Sequence, residues 1–145
     1  MRAQTGARES RDRSRTPMPW DDSPTAGFTG ERARPWLPYG EHAVRNVAAQ
    51  RADPASTLHL CRELIALRRA EFAGQLASYT QLDAPAGVWA YRTGRLTVVA
   101  NFTGSPVSLA EAGGVAGEVL IRSDSAAGAG ADQVGPWAGV IARSA

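Results

Sequence analysis

The segment Val88-Trp89-Ala90-Tyr91-Arg92-Thr93-Gly94-Arg95-Leu96-Thr97-Val98-Val99-Ala100 decides the fold of the second half of the chain. Valine, threonine and aromatic residues, which favour strands, fill the runs 88–92 and 96–100 on either side of a short polar stretch. Thr93-Gly94 predicts the turn between them, because glycine readily adopts the positive φ that tight hairpin loops need. The segment therefore predicts an antiparallel β-hairpin.

Short apolar runs separated by turn residues continue on both sides of this hairpin. They predict further strands at Ala77–Leu82, Val107–Leu109, Glu118–Arg122 and Trp137–Arg143, with the second hairpin strand reaching Phe102. Trp89 and Trp137 lie in these runs, so we expect both in the core. The Gly/Ala stretch Ser125–Gly130 predicts a mobile loop. Residues 77–145 thus predict an antiparallel β-sandwich.

A helix is predicted upstream of the strands, at Pro54–Phe72. Asp53 can accept backbone N–H bonds at its start, Pro54 suits a first turn, and Gly74 lies just past its end. One apolar stripe has spacings of three and four, formed by Leu58, Cys61, Leu64, Ile65 and Leu67. The single cysteine, Cys61, lies in that stripe and is expected to be a small buried hydrophobe, with no internal disulfide.

Residues 1–53 hold five of the nine prolines and show no sustained hydrophobic period. We therefore predict one long irregular segment. Large aromatic side chains within it need apolar contacts, which argues against simple disorder; they are Trp20, Phe28, Trp36 and Tyr39.

Length, charge and composition exclude several classes of protein. A chain of 145 residues is too short for a (β/α)₈ barrel of ~250 residues. The net charge of +2 and the acidic residues among the N-terminal arginines argue against a nucleic-acid partner. There is no apolar run long enough for a membrane span and no secretory signal pattern, so we expect a cytoplasmic protein. Neither histidine has metal-ligand spacing to other donors, which predicts no metal.

The N-terminal segment carries a motif, Ser14-Arg15-Thr16-Pro17-Met18-Pro19-Trp20-Asp21, followed by Ala26-Gly27-Phe28-Thr29. It resembles the R-T-P-M-Q-W…A-G-F motif of α-glucosidases and oligo-1,6-glucosidases in glycoside hydrolase family thirteen, the α-amylase superfamily. Pro19 departs from the glutamine of many relatives. Further strings match in the same order: Pro35–Pro38, Asn46–Gln50, Asp53–Ser56, Leu64–Arg69 and Val98–Phe102.

The resemblance implies an α+β fold in two parts. Residues 11–72 would be the last active-site loop and last helix of a (β/α)₈ barrel, and residues 77–145 the C-terminal β-sandwich domain. Residues 1–10 match nothing and are left as an unassigned N-terminal arm.

The resemblance also implies the activity of the parent enzyme, which is hydrolysis of terminal α-linked glucose from oligosaccharides without a cofactor. The two carboxylates that a retaining glycosidase needs, and a further aspartate, lie upstream of the matched region in the family. We therefore expect no catalytic residue here and no activity of the chain alone. The link specificity, α-1,4 or α-1,6, and the choice between hydrolysis, isomerisation and transfer stay open.

Arg15 is the one substrate-binding residue that the resemblance implies, because the family's motif arginine reaches the glucose pocket. The alternative is a loop arginine paired with Asp12, Asp21 or Asp22. Asp21-Asp22 itself favours a turn cap over an acid/base pair.

Several aromatic and polar features allow more than one interpretation. Trp20 and Trp36 can stack on sugar rings, although packing of the loop is the simpler role. Asn101-Phe102-Thr103 matches a glycosylation acceptor, but its place at a strand end without a secretory signal predicts no glycan. A self-sufficient carbohydrate-binding module would instead need an exposed aromatic row; its candidates are Tyr79, Trp89, Tyr91 and Trp137.

A third interpretation is a complementing subunit that joins a chain carrying the rest of the barrel, in a split glycosidase or a trehalose-synthase-like enzyme. The apolar stripe of the predicted helix would then be covered by that partner, and the free chain would be marginally stable.

Overall fold

The computed structural model describes residues 15–75, 77–124 and 130–144. The chain divides into two compact units, Met1–His59 and Leu60–Ala145. Residues 1–10, the arginines before Arg15 and most of the loop predicted at Ser125–Gly130 lie outside the described residues.

The first unit is irregular from Arg15 to Asn46 and then forms a short helix, α1 (Val47–Ala52). The prediction of an irregular segment to residue 53 is therefore wrong at its end. The Asn46 side chain caps α1 by accepting the backbone N–H of Ala49 at 2.8 Å. Six residues are too few for a hydrophobic period to show, so this helix rests on its cap and its loop contacts.

The second helix, α2 (Thr57–Phe72), confirms the predicted end but begins three residues later than the predicted Pro54–Phe72. Asp53 caps a separate turn, in which its carboxylate accepts a backbone N–H two residues later at 2.9 Å. The hydroxyl of Ser56 accepts the backbone N–H of His59 at 3.4 Å, so Ser56 occupies the capping position.

No residue of α2 is buried. Leu58, Leu64 and Leu67 are half-buried, whereas Ile65 and Cys61 are exposed. The expectation of a buried Cys61 is wrong, because regular spacing defines an apolar face without supplying a surface to cover it. Within the described ranges, neither helix has the length and hydrophobicity to cross a membrane.

The second unit contains two antiparallel sheets. Its strands are β1 (Tyr79–Leu82), β2 (Val88–Thr93), β3 (Leu96–Asn101), β4 (Val107–Ser108), β5 (Val119–Arg122), β6 (Gln133–Val134) and β7 (Gly139–Arg143). The larger sheet has the order β1-β2-β3-β7-β5, and β4 pairs with β6 in the smaller one. A strand is present in each predicted run, but most are shorter than predicted: β1 begins at Tyr79 and β7 at Gly139, so Trp137 lies outside the strand predicted to contain it. The two-residue β6 is additional.

The β2–β3 hairpin has the predicted strands with a loop shifted by one residue. Thr93 pairs with Leu96, so Gly94-Arg95 forms the loop in place of the predicted Thr93-Gly94. Gly94 has φ +57°, as the first position of a two-residue hairpin loop favours.

The core of the second unit lies between the two sheets. Neighbouring strands contribute the register partners Ala90, Val99 and Val140, and other elements contribute Leu109, Ala112, Val134 and Ala138. Trp89 and Trp137 are 46% and 72% exposed, so the prediction that they are core residues is wrong. Trp89 alternates with the buried Ala90 and therefore lies on the opposite face of the sheet.

Candidate functional site

The loop that follows Arg15 closes on itself through backbone hydrogen bonds. The N–H of Trp20 donates to the carbonyl of Ala26 at 2.8 Å, and the N–H of Ala26 donates to the carbonyl of Ser23 at 2.7 Å. Gly27 follows with φ +60°, and a Cβ there would lie 2.6 Å from the Oδ2 atom of Asp21. The glycine of the motif is therefore required by the turn.

The same loop is joined to α1. The first two N–H groups of that helix, from Val47 and Ala48, donate to the carbonyls of Pro19 and Trp20 at 3.0 and 2.9 Å. The first N–H groups of a helix have no acceptor within that helix. Here the backbone carbonyls of the motif loop accept their hydrogen bonds. The motif and the string that begins at Asn46 are thus held together within one unit.

The motif lines a concavity of about 450 Å³. Its walls are largely apolar and include one cation; they are formed by Arg15, Thr16, Pro17, Met18, Phe28, Pro35, Trp36 and Leu37. A second hollow of about 490 Å³ shares Trp36 and also includes Tyr39 and His42. Trp36 is 93% exposed, so its flat ring is open to a ligand on this surface.

Arg15 is exposed at one side of the first concavity and forms no ion pair with any carboxylate in the described part of the chain. Pairing with Asp21 or Asp22 is thus not seen, and Asp12 lies outside the described residues. A guanidinium is always charged and offers a planar set of donors, which suits hydroxyls and carboxylates. Its role in binding substrate stays a prediction.

Asp21 stabilises a turn, as its position predicted. Its Oδ1 atom accepts the backbone N–H of Ser23 at 3.0 Å. Hydrogen bonds from the hydroxyl and the N–H of Ser23, with a contribution from the charge of His42, hold the pKa of Asp21 below its usual 3.8. A carboxyl with a lowered pKa is ionised at neutral pH and is a poor general acid.

None of the described residues that line the first concavity is acidic. The arrangement therefore offers an apolar surface, an open indole ring and a cation, which are suited to holding a polyhydroxylated ligand, and lacks a group to protonate or attack it. In the described ranges, no three His, Cys, Asp or Glu side chains approach closely enough to hold a metal ion.

The sequence interpretation singled out Trp20 and Trp36 but missed Phe28, Met18 and Leu37 as lining residues. Trp20 is 47% exposed and does not line the first concavity. The motif contained the signal for two of the missed residues, Met18 and Phe28, but apolar motif residues are more simply assigned to packing.

On the second unit, Tyr79, Trp89 and Tyr91 lie together. They are three of the four candidates for the exposed aromatic row that a carbohydrate-binding module would need. The ring of Tyr91 is 5.3 Å from that of Tyr79 and 4.9 Å from that of Trp89, between centroids. Trp137, the fourth candidate, forms no ring pair with them among the described residues.

Comparisons with known proteins identify relatives of both units. The family model "Alpha amylase, catalytic domain" matches residues 1–75. The trehalose-6-phosphate hydrolase of Escherichia coli (strain K12) is 38% identical over 104 residues, 67% of this chain and 18% of that protein. The oligo-1,6-glucosidase of Parageobacillus thermoglucosidasius is 45% identical over 62 residues, 42% of this chain and 11% of that protein.

Solved structures of α-amylase-type proteins superpose on most of this chain. A mutant of the trehalulose synthase MutB superposes with a TM-score of 0.76 at 35% identity, over 92% of this chain and 26% of that one. The α-amylase from H. orenii has the same fold, with a TM-score of 0.60 at 16% identity over 88% of this chain and 28% of that one. The matched region spans about a quarter or less of each relative's length.

Proposed function

Since the chain belongs to the α-amylase family, we propose that it is the C-terminal portion of an α-glucosidase-type glycoside hydrolase. The parent activity is hydrolysis of terminal α-linked glucose from oligosaccharides. Residues 11–72 supply the last active-site loop and last helix of the barrel, and residues 77–145 form the C-terminal domain. The observation that supports this most is the concavity lined by Arg15 and Trp36, which the motif forms together with the matching string Pro35–Pro38.

In this proposal the concavity contributes to a glucose-binding site. The guanidinium of Arg15 donates hydrogen bonds to sugar hydroxyls. It also stabilises the ionised form of a carboxylate that the rest of the barrel supplies. The indole of Trp36 offers its apolar face to the C–H face of a sugar ring. Both groups bind and orient; neither transfers a proton.

The catalytic carboxylates must come from elsewhere. A retaining glycosidase holds its nucleophile and its acid/base ~5 Å apart, one on each side of the scissile bond. The acidic residue within the motif, Asp21, is engaged with Ser23. We therefore propose that this chain does not cleave glucosides by itself.

A second candidate function is a complementing subunit for a chain that carries the rest of the barrel. It is favoured by apolar surface that this chain leaves open: α2 has no buried residue, and several large side chains of the first unit are exposed, namely Met18, Trp20, Phe28, Trp36 and Val44. Exposed apolar area of this kind marks contact surfaces. Slow and uniform hydrogen exchange over residues 1–72 of the free chain would contradict this candidate.

The proposed role of the motif is tested in a hybrid enzyme. The C-terminal segment of the oligo-1,6-glucosidase from P. thermoglucosidasius is replaced with this chain, and hydrolysis of isomaltose is measured. We expect an active hybrid in which Arg15→Ala lowers kcat/KM by about tenfold or more, with partial recovery in Arg15→Lys.

Arg32→Ala is the matched control, because Arg32 is an exposed arginine of the same unit outside the concavity. We expect it to leave kcat/KM unchanged. A folded hybrid that hydrolyses isomaltose equally well with Arg15→Ala would contradict the proposed role of Arg15.

A further inference from the structure

Three aromatic side chains form one cluster at the edge of the larger sheet, here called the aromatic platform: Tyr79, Trp89 and Tyr91. The ring planes are inclined by 33° for Tyr79 and Tyr91 and by 37° for Trp89 and Tyr91. The indole N–H of Trp89 donates to the hydroxyl of Tyr79 at 3.3 Å. The three rings thus support one another in a defined arrangement.

The platform lies outside the core of the second unit. Trp89 and Tyr91 alternate with Ala90, which is buried between the sheets, so their rings lie on the opposite face. Tyr79 is on β1, the edge strand, and is 56% exposed. Rings of this size that stay open on a folded sheet indicate a surface that contacts something else.

The polar groups around the platform are neutral. In the β1–β2 register Gln81 stands opposite Tyr91, and Thr93 stands opposite Tyr79, so both share the face of the rings. No charged residue occupies a position on this face of β1 or β2. The surface therefore combines flat apolar rings with hydroxyl and amide groups that donate and accept hydrogen bonds.

This combination selects among ligand classes. A nucleic acid or an acidic peptide needs several cations, but β1 and β2 place none beside the rings, and Arg143, on the same face of β7, is paired with Glu71. A lipid surface favours apolar side chains with basic residues beside them. A sugar presents an apolar C–H face and a ring of hydroxyls, so it matches both the rings and the neutral polar groups.

We propose that the aromatic platform is a binding site for a neutral oligosaccharide of α-linked glucose, separate from the concavity of the first unit. The apolar face of a glucose ring packs on Trp89, and its hydroxyls bond to Tyr79 and Gln81. Only the choice of α-linked glucose rests on the proposed function; the platform and its neutral chemistry do not.

The test is a titration of the whole 145-residue chain, labelled with ¹⁵N in its tryptophans, with maltotriose and with isomaltotriose. The four indole N–H signals report separately on Trp20, Trp36, Trp89 and Trp137. We expect saturable shifts of the Trp89 signal. The dissociation constants for maltotriose and isomaltotriose, compared with each other, show whether the platform prefers α-1,4 or α-1,6 links. Cellotriose, whose links are β, should bind more weakly.

Variants assign the site. Trp89→Ala should weaken binding by about tenfold, and Tyr79→Phe, which removes only a hydroxyl, by a smaller factor. Trp137→Phe is the matched control, because Trp137 is a more exposed indole of the same unit outside the platform. Circular dichroism and thermal unfolding of each variant confirm that the fold is kept.

Two results would overturn the proposal. If the sugars leave the Trp89 signal unchanged while they shift that of Trp36, sugar binds in the first unit alone. If no sugar shifts the Trp89 signal, the proposal is wrong, and a change in sedimentation caused by Trp89→Ala would then identify the platform as a protein contact surface. Failure of the proposed function is a separate outcome, since it would appear as an insensitivity of the hybrid enzyme to Arg15→Ala.

Discussion

The carboxylate of Glu71, near the C-terminal end of α2, lies 3.2 Å from the guanidinium of Arg143 on β7. Its other oxygen lies 3.4 Å from Arg95 in the hairpin loop. The side chain of Glu71 is only 9% exposed, whereas both arginines are more open. The end of the helix is thereby attached to the sheet through one acidic residue and two basic ones.

Glu71→Gln should lower the free energy of unfolding by about 1–2 kcal/mol, because both ion pairs, one of them also a hydrogen bond from Arg95, are lost and the arginines remain partly solvated. Urea unfolding, followed by circular dichroism, measures the change. Glu63→Gln on the same helix, at an exposed position without a partner among the described residues, is the control. Equal effects of the two substitutions would show that the ion pairs contribute nothing.

The lowered pKa of Asp124 predicts a free energy of unfolding that depends on pH. Burial would raise its pKa, but the hydrogen bond from Arg122, the N–H of Gly135 and the charge of Arg122 outweigh burial and hold the pKa below 3.8. The unfolded chain therefore binds the proton more tightly than the folded chain does. The stabilisation is complete above pH 3.8 and is lost as the pH falls from there through the folded-state pKa.

Asp124→Asn should lower the free energy of unfolding at pH 7 by about 1–2 kcal/mol, and should flatten its decrease below pH 4. Urea unfolding at a series of pH values measures both effects. Asp83→Asn, at an exposed loop position, is the control and should keep the slope. An unchanged acid slope in the Asp124 variant would contradict this assignment.

Asn101 links three segments of the second unit. Its amide nitrogen donates to the carbonyls of Ser105 and Gly135 at 2.8 and 2.9 Å, and its oxygen accepts the N–H and hydroxyl of Thr103 at 2.9 and 2.8 Å. Only 1% of the residue is exposed. The amide is fully engaged in the fold.

Asn101→Ala should destabilise the chain by about 2–3 kcal/mol, because it leaves buried carbonyl groups without donors. Asn101→Asp should be worse at pH 7, since a carboxylate would face those carbonyl oxygens. Ser105→Ala, which keeps the backbone carbonyl, should change stability by less than ~0.5 kcal/mol. Thermal unfolding of the three variants compares them directly, and similar melting temperatures would refute this role.

Gly27→Ala tests the motif loop. The substitution should destabilise the loop by about 1–2 kcal/mol through its left-handed backbone alone, and the new Cβ would also collide with Asp21. Hydrogen exchange at the N–H groups of Trp20 and Ala26 should become faster. Gly30→Ala, where a Cβ would meet no atom within 4 Å, is the matched control. Unchanged exchange in the Gly27 variant would show that the loop tolerates a side chain there.

The sequence predicted the strands of the larger sheet well because their pattern is local. Valine and aromatic residues are frequent in β2, valine and threonine in β3, and Gly94 marks the turn between them. β6 was missed because two residues beside glycine and proline have no period. α1 was missed because its first N–H groups depend on the carbonyls of Pro19 and Trp20, which are distant in sequence.

Burial was predicted less well than the strands and helices. Alternation shows that Trp89 and Ala90 lie on opposite faces, but not which face is covered, and the tryptophan was assigned to the wrong one. Helical spacing placed Cys61 in an apolar stripe in the same way. Which surfaces are covered depends on the rest of the fold and on any partner, and neither can be read from local spacing.

The candidate site was predicted in part, through the motif. The resemblance singled out Arg15, and the structure places it beside Trp36 in one concavity. Phe28 joins the same wall because the loop folds back on itself, through bonds such as that from Trp20 to Ala26. The backbone hydrogen bonds that close the loop cannot be predicted from local sequence patterns.

We propose that this chain contributes a binding surface and supplies no catalytic carboxylates. The most direct measurement is the release of p-nitrophenol from p-nitrophenyl-α-glucoside by the purified chain, against a blank without protein and against Arg15→Ala. We predict no release above the blank from either protein. Release above the blank that Arg15→Ala lowers would contradict the claim and place a complete active site in these 145 residues.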